Sequence, residues 1–69
     1  MKDSSTKLEE YMKQPYKMVI ERDNQGLFTL FFPDLPGCIT TGTTLEAVLE
    51  NATDAKREWF KACIEEGLL

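Results

Sequence analysis

The chain has 69 residues, an apolar content of 42% and a formal net charge of −4. A chain of this length forms one small domain that buries only about 60% of its unfolded surface, and the apolar content excludes intrinsic disorder. The acidic charge disfavours direct nucleic-acid binding by this chain because it repels phosphate.

A short helix is predicted from Ser4 to Gln14. Thr6 and Glu9 form a capping box at its start, and Pro15 ends it. Three apolar side chains share one face of this helix: Leu8, Tyr11 and Met12. An isolated helix this short is marginal in water, so it needs a surface on which to dock. We therefore expect residues 1–15 to be a helical extension, either an oligomerisation arm or a frayed tail.

A β-hairpin follows, with strands over residues 16–22 and 27–32 joined by a turn at residues 23–26. One face of the second strand is wholly apolar and carries Phe28, Leu30 and Phe32. Its other face is nearly apolar and carries Leu27, Thr29 and Phe31. One helix can cover only one of these faces, so we expect the other face to meet a further surface.

A stiff corner is predicted over residues 32–38, followed by a short third strand from Cys38 to Thr41. Two prolines fix φ in this corner, and Gly37 supplies a residue free of the Cβ constraint. The carboxylate of Asp34, which lies between the prolines, is expected to accept backbone amides of the turn.

A long helix is predicted from Thr44 to Glu66, with Gly67 as its C′ residue. Thr43 and Glu46 have the spacing of a capping box directly after Gly42. One apolar arc of about 160° is expected to pack on the sheet: Leu45, Val48, Leu49, Ala52, Ala55, Trp59, Phe60, Ala62 and Cys63. Four acidic residues recur every fourth position on the opposite arc: Glu46, Glu50, Asp54 and Glu58. This acidic stripe is either a solvated face or a docking site for a basic partner.

These elements predict an α+β fold in which a three-stranded antiparallel sheet (β-β-β-α) carries one long helix on one face and is preceded by a short helix. The excess of apolar surface predicts a homodimer or a dimer of dimers. We expect Leu27, Phe31 and the N-terminal helix, with Leu8, Tyr11 and Met12, to lie near that contact.

No catalytic constellation is evident in the sequence. The chain has no histidine, which excludes Ser–His and Cys–His mechanisms, and it has no Gly-rich phosphate loop. Cys38 and Cys63 lack metal-site spacing and are expected to be buried small hydrophobes in a reducing compartment. We expect no enzyme activity, cofactor or metal. The absence of a signal-peptide pattern and of a long apolar run predicts a cytoplasmic protein without a membrane contact.

The run from Phe31 to Ala52 resembles the motif of the HicB antitoxin family, and the resemblance extends over roughly residues 16–67. Seven residues carry its turn motif: Pro33, Asp34, Leu35, Pro36, Gly37, Cys38 and Gly42. Thr43 stands where the family usually has Asp. The resemblance implies a HicB-like domain over residues 16–69 with a pared-down RNase H-like fold.

The resemblance also implies a function, which is to bind and neutralise a HicA-like mRNA-cleaving toxin by protein–protein contact. Such a toxin is a small basic ribonuclease. Many family members carry a DNA-binding unit as well, and this unit is not recognisable here.

Two alternatives stay open beside the antitoxin function. One is an orphan oligomeric module of the same fold that serves as a binding or scaffold protein without a cognate toxin. The other is a degenerate RNase H-like nuclease, which would need its carboxylates, with Glu21, Asp23 and Asp34 as the candidates, to hold two metal ions.

Overall fold

The computed structural model describes residues 4–68, and over this range the chain forms two helices and one three-stranded sheet. The elements in chain order are α1 (Ser4–Met12), β1 (Val19–Arg22), β2 (Phe28–Phe31), β3 (Ile39–Gly42) and α2 (Leu45–Glu65). The predicted α+β fold is confirmed. The helix α1 ends two residues earlier than predicted, and β1 begins three residues later because its partner strand β2 ends at Phe31, opposite Val19.

The sheet is antiparallel with the strand order β1-β2-β3. Leu30 is fully buried beneath α2, so the positions that alternate with it, such as Phe31, lie on the opposite face. On that opposite face, the three strands place Val19, Phe31 and Ile39 side by side in one row. We call this face the open face, because neither helix packs on it.

The helix α2 packs against β2 and β3 and against α1, and among the described elements it does not contact β1. Its approach to β3 is close at Gly42, where a Cβ atom would lie only 2.6 Å from the backbone nitrogen of Val48. The core consists of seven buried side chains: Leu30, Phe32, Leu35, Cys38, Val48, Ala52 and Phe60. The predicted apolar face of β2 is therefore the one that the helix covers.

The start of α2 differs by one residue from the prediction. Thr44, with extended backbone angles, is the N-cap, and its hydroxyl oxygen accepts a 3.0 Å hydrogen bond from the amide of Ala47. The predicted capping box of Thr43 and Glu46 is therefore wrong. At the other end, Gly67 has a φ of 74° and its amide bonds to the carbonyl of Ile64, as expected of a C′ glycine.

The helix α1 packs on the chain's own core. The ring of Tyr11 stacks on Phe60, with centroids 5.2 Å apart and an angle of 14° between the planes, and Leu8 and Met12 also contact the core. Glu9 adds an exposed ion pair with Arg57 at 3.4 Å. The frayed-tail alternative is therefore wrong for residues 4–12. A role of these side chains in self-association stays a prediction, as does the division of the chain at residue 15.

The apolar arc of α2 is wider than the surface that covers it. Leu45 and Leu49 remain 47% and 38% exposed, and Ala62 is exposed as well, because the sheet surface under the helix is limited to β2 and β3. Trp59 is half-buried, whereas Phe60 is only 2% exposed. Over the described residues, neither helix has the length and apolar character needed to cross a membrane.

Candidate protein-binding surfaces

The corner between β2 and β3 is closed by its own backbone. The amide of Leu35 donates to the carbonyl of Phe32, and the amide of Cys38 donates to the carbonyl of Leu35, at 3.0 and 2.9 Å. Gly37 has a φ of 84°, a conformation that side chains with a Cβ rarely adopt. Asp34 is exposed, and within residues 4–68 its carboxylate accepts no amide. Its predicted role as an amide acceptor is wrong, since backbone carbonyls satisfy the corner.

Asp23 makes the kind of turn that was expected of Asp34. Its Oδ1 atom accepts hydrogen bonds of 2.9 Å from the amides of both Gln25 and Leu27. The turn was predicted at residues 23–26 but this role of Asp23 was not, although an Asp at the first position of a turn is its usual signal. The Asp23 carboxylate therefore shapes the β1–β2 hairpin.

The corner is fastened to α2 by one long-range hydrogen bond. The indole Nε1 of Trp59 donates to the carbonyl oxygen of Pro36 at 2.8 Å. Beneath this bond, Leu35 and Cys38 are each only 4% exposed. The family motif thus divides into two buried apolar side chains, which anchor the corner, and exposed positions such as Pro33 and Pro36.

An apolar cleft of 320 Å³ lies between this corner and the adjoining ends of β2 and β3. It is lined by Phe31, Phe32, Pro33, Leu35, Pro36, Gly37, Cys38 and Ile39. Phe31 and Ile39 also belong to the row across the open face, so the cleft and that row form one continuous apolar surface. Ile39 is 58% exposed there. A surface of this kind, exposed on a small protein, is typical of a contact with another protein.

The acidic stripe lies along the solvent side of α2, and all four of its carboxylates are exposed. Positions four residues apart are separated by about 6 Å along a helix axis. Within residues 4–68, none of the four lies within ion-pair distance of a Lys or Arg, whereas the nearby Arg57 pairs with Glu9 of α1. The stripe is therefore a row of four exposed carboxylates that form no direct ion pair within residues 4–68.

A lysine lies over two aromatic rings and close enough to the buried Cys38 thiol to affect its pKa. The ammonium group of Lys56 lies 5.7 Å from the ring centroids of both Tyr16 and Phe32. Burial raises the pKa of the Cys38 thiol, and the positive charge of Lys56 only partly opposes this effect. Burial also raises the pKa of Tyr16, and the neighbouring Tyr11 and Asp34 add to the increase. A buried, protonated thiol is a poor nucleophile, so this cluster offers packing rather than chemistry.

The three carboxylates considered for a nuclease site do not form a cluster. Within residues 4–68, no group of three or more Asp, Glu, Cys or His side chains is close enough to hold a metal ion. Asp23 instead holds the hairpin turn, and Asp34 lies on the exposed corner near Tyr16. The described residues thus bring together no carboxylate cluster of the kind that a two-metal nuclease requires.

The described residues form a small α+β protein with an exposed apolar cleft and a stripe of exposed carboxylates. The family model of the HicB-like antitoxins of bacterial toxin–antitoxin systems matches residues 16–69, and the chain belongs to this family. The match begins after α1 and includes the corner, the cleft and the acidic stripe.

Two curated relatives support this assignment. The chain is 33% identical over 54 residues to the UPF0150 protein ssr1258 of Synechocystis sp., an alignment that covers 78% of this chain and 72% of the relative. It is 34% identical over 47 residues to the UPF0150 protein Ta0767 of Thermoplasma acidophilum, with 68% of each chain covered. No solved structure matches the chain. The RNase H-like relationship implied by the motif therefore stays a prediction.

Proposed function

We propose that this protein acts as an antitoxin that binds a HicA-like mRNA-cleaving toxin by protein–protein contact and thereby neutralises it. The family match over residues 16–69 is the observation that carries the proposal. The described surfaces support a binding function, because they combine an exposed apolar cleft with an acidic stripe and bring no catalytic group together. The protein would act without a cofactor, in the cytoplasm where mRNA is cleaved.

The acidic stripe is the surface that we propose to meet the toxin. A ribonuclease that binds RNA presents cationic groups along its RNA path, and these groups attract a row of carboxylates as they attract phosphates. The four carboxylates of the stripe are exposed and form no direct ion pair within the described chain, so they are accessible to the cationic groups of a partner. Charges of this kind mainly accelerate association and select the right partner.

The experiment that tests the function uses a HicA-like toxin, to be sought as the product of a short basic reading frame beside this gene. The two proteins are purified separately, mixed at micromolar concentration, and analysed by size-exclusion chromatography and by cleavage of a labelled mRNA. We expect a stable complex and a loss of cleavage in proportion to the antitoxin added. Undiminished cleavage without complex formation would contradict the proposal and favour the orphan binding module.

A charge-reversal pair tests the stripe separately from the function. Glu50→Lys combined with Asp54→Lys should weaken toxin binding by at least about tenfold at low salt, since surface charges act mainly through association. The matched control is Glu65→Lys combined with Glu66→Lys, which makes the same change of net charge outside the stripe. If both double variants bind the toxin equally well, the stripe is not the contact, and the apolar cleft becomes the surface to test.

A further inference from the structure

The strand β1 forms an edge of the sheet that neither helix contacts within the described chain. Met18 and Ile20 are 48% and 40% exposed along this edge. An edge strand that combines exposed apolar side chains with unpaired backbone groups can pair with another strand. The edge is four residues long where it pairs with β2, and the sequence alternation extends it back to residue 16.

The hydrogen bonds of the hairpin identify which backbone groups of β1 point outward. The amide of Asp23 donates to the carbonyl of Leu27 at 3.0 Å, which continues the register of β1 with β2. Backbone groups alternate in direction along an antiparallel strand. The odd-numbered positions of β1 therefore bond to β2, and the amides and carbonyls of Met18, Ile20 and Arg22 point away from the sheet.

We propose that two copies of this chain join through their β1 edges as antiparallel strands, with the two-fold axis at Val19. Val19 then lies opposite Val19 of the partner subunit, and Met18 lies opposite Ile20 of the partner subunit. On the open face, Lys17 lies opposite Glu21 of the partner subunit. Two-fold symmetry produces the Met18–Ile20 pair and the Lys17–Glu21 pair twice each. The contact therefore joins apolar side chains to apolar ones and contains two pairs of opposite charge.

Other registers match the side chains less well. If the register between the two β1 strands were shifted by one residue, the helices of the two copies would lie on opposite faces of the joined sheet. A two-fold axis at Ile20 would place the apolar Val19 opposite the Glu21 carboxylate, and an axis at Glu21 would place two carboxylates together. An axis at Met18 would place Lys17 opposite Val19. Of the axes at Met18, Val19, Ile20 and Glu21, only the axis at Val19 places every side chain from residue 17 to residue 21 opposite one of matching character, either apolar or of opposite charge.

This register also accounts for two features of the single chain. Residues 17 and 18 continue the strand pattern beyond the pairing of β1 with β2, which ends at Val19 opposite Phe31, and a second β1 strand would pair with them. In addition, the row of Ile39, Phe31 and Val19 becomes continuous with the same row of the second copy, giving six aligned apolar residues across the joined open face. The contact lies away from Leu27 and α1, which the sequence had suggested as its neighbours.

A charge exchange tests the proposed register. Sedimentation equilibrium at low salt should give twice the monomer mass of 7.9 kDa at micromolar concentration. Lys17→Glu alone and Glu21→Lys alone should each raise the dimer dissociation constant by about tenfold, because each puts like charges opposite one another twice. The double exchange should restore the original value. Lys61→Glu, an exposed change on α2, is the control and should leave the constant unchanged.

Two outcomes of this experiment would overturn the proposal. A folded monomer at about 100 µM, a concentration at which weak dimers still form, would remove the dimer altogether. A double exchange that dimerises no better than the single variants would show a different register, since with the axis at Ile20 the partner of Lys17 would be Asp23. Circular dichroism confirms that each variant is folded.

A disulfide supplies a second, independent test. Val19 and its symmetry mate would form a non-hydrogen-bonded pair, in which Cα atoms are about 4.5 Å apart, within the range of a disulfide. Val19→Cys should therefore give a covalent dimer on mild oxidation. Ile39→Cys, on the opposite edge of the sheet, should not give a covalent dimer. The control for the native thiols is the unsubstituted chain, in which Cys38 is buried and Cys63 is half-buried. Faster cross-linking through Cys at position 39 would contradict the β1 contact.

Discussion

The indole nitrogen of Trp59 lies 2.8 Å from the carbonyl oxygen of Pro36 and donates a hydrogen bond to it. The bond joins the C-terminal half of α2 to the corner, and the two residues are 23 positions apart in the chain. Pro36 has no amide proton, but its carbonyl is an unhindered acceptor. The orientation of the apolar cleft therefore depends on a side chain of the helix that also carries the acidic stripe.

Removing this hydrogen bond while keeping an aromatic ring should destabilise the fold only modestly. We expect Trp59→Phe to lower the free energy of unfolding by about 0.5–1.5 kcal/mol, the usual net contribution of one hydrogen bond, with some additional loss of packing. Urea unfolding followed by far-ultraviolet circular dichroism measures the change. An unfolding midpoint identical to that of the original chain would show that the bond does not stabilise the corner.

Phe60 should be more sensitive to truncation than Trp59. The rings of Tyr11, Tyr16 and Trp59 all have centroids within 5.3 Å of Phe60, which is 2% exposed. Phe60→Ala leaves a cavity beneath three rings and should cost about 3–5 kcal/mol, enough to unfold a small domain. Trp59→Ala should cost less, since Trp59 is half-buried. The opposite order in thermal unfolding would contradict this assignment of the core.

The different burial of Trp59 and Phe60 shows where the sequence pattern stops being sufficient. Adjacent positions on a helix differ by 100° in direction, and both of these residues fall within the wide apolar arc of α2. Which of them becomes the centre of the core depends on where α1 packs, because Tyr11 stacks on Phe60. That contact is set by tertiary structure rather than by periodicity.

The order of the strands and the faces of β2 could be predicted, because period-two alternation and turn residues are local signals. The start of β1 at Val19 could not, since it depends on where the partner strand ends. At the candidate site, the prolines and Gly37 correctly indicated the corner. The cleft and the bond from Trp59 were not predictable, because they join segments that are distant in the sequence.

A methyl group at position 42 should disrupt the contact of β3 with α2. In Gly42→Ala the new Cβ would lie 2.6 Å from the backbone nitrogen of Val48. Relieving this clash requires a shift of the backbone, which costs free energy. We expect a loss of about 1–3 kcal/mol or more in unfolding free energy. Gly37→Ala is the comparison, because nothing lies within 4 Å of its Cβ and only the positive φ of 84° opposes the change. A smaller loss at Gly42 than at Gly37 would contradict the close packing.

Stability should fall at alkaline pH. Burial raises the pKa of the Cys38 thiol, so the folded chain keeps a proton that the unfolded chain loses above the ordinary thiol pKa of about 8.5. The free energy of unfolding should therefore be constant from pH 6 to about pH 8 and decrease as the pH rises further. Above a pH of about 10, Tyr16 should add a decrease of the same sign, since its pKa is also raised.

The variant Cys38→Ala separates the thiol from the other groups. It should be less stable than the original chain at neutral pH, because it removes a buried side chain, but it should lose less stability between pH 7 and pH 9.5. Urea unfolding at several pH values in the presence of a reductant gives both quantities. An equal decrease in the two proteins would mean that Cys38 does not contribute to the pH dependence.

The two threonines before α2 should differ sharply in their contribution to stability. The Thr44 hydroxyl accepts a hydrogen bond from the Ala47 amide, which is one of the amides at the helix start that has no partner within the helix. Thr44→Ala should therefore lower the free energy of unfolding by about 1 kcal/mol. Thr43→Ala, at an exposed position outside the cap, should change the free energy of unfolding by less than about 0.5 kcal/mol. Thr44→Asp should retain the cap, because aspartate also accepts from these amides and its charge is favourable at a helix N-terminus. Equal losses for Thr43→Ala and Thr44→Ala in matched urea titrations would show that both residues share the cap, as the capping box predicted from the sequence would require.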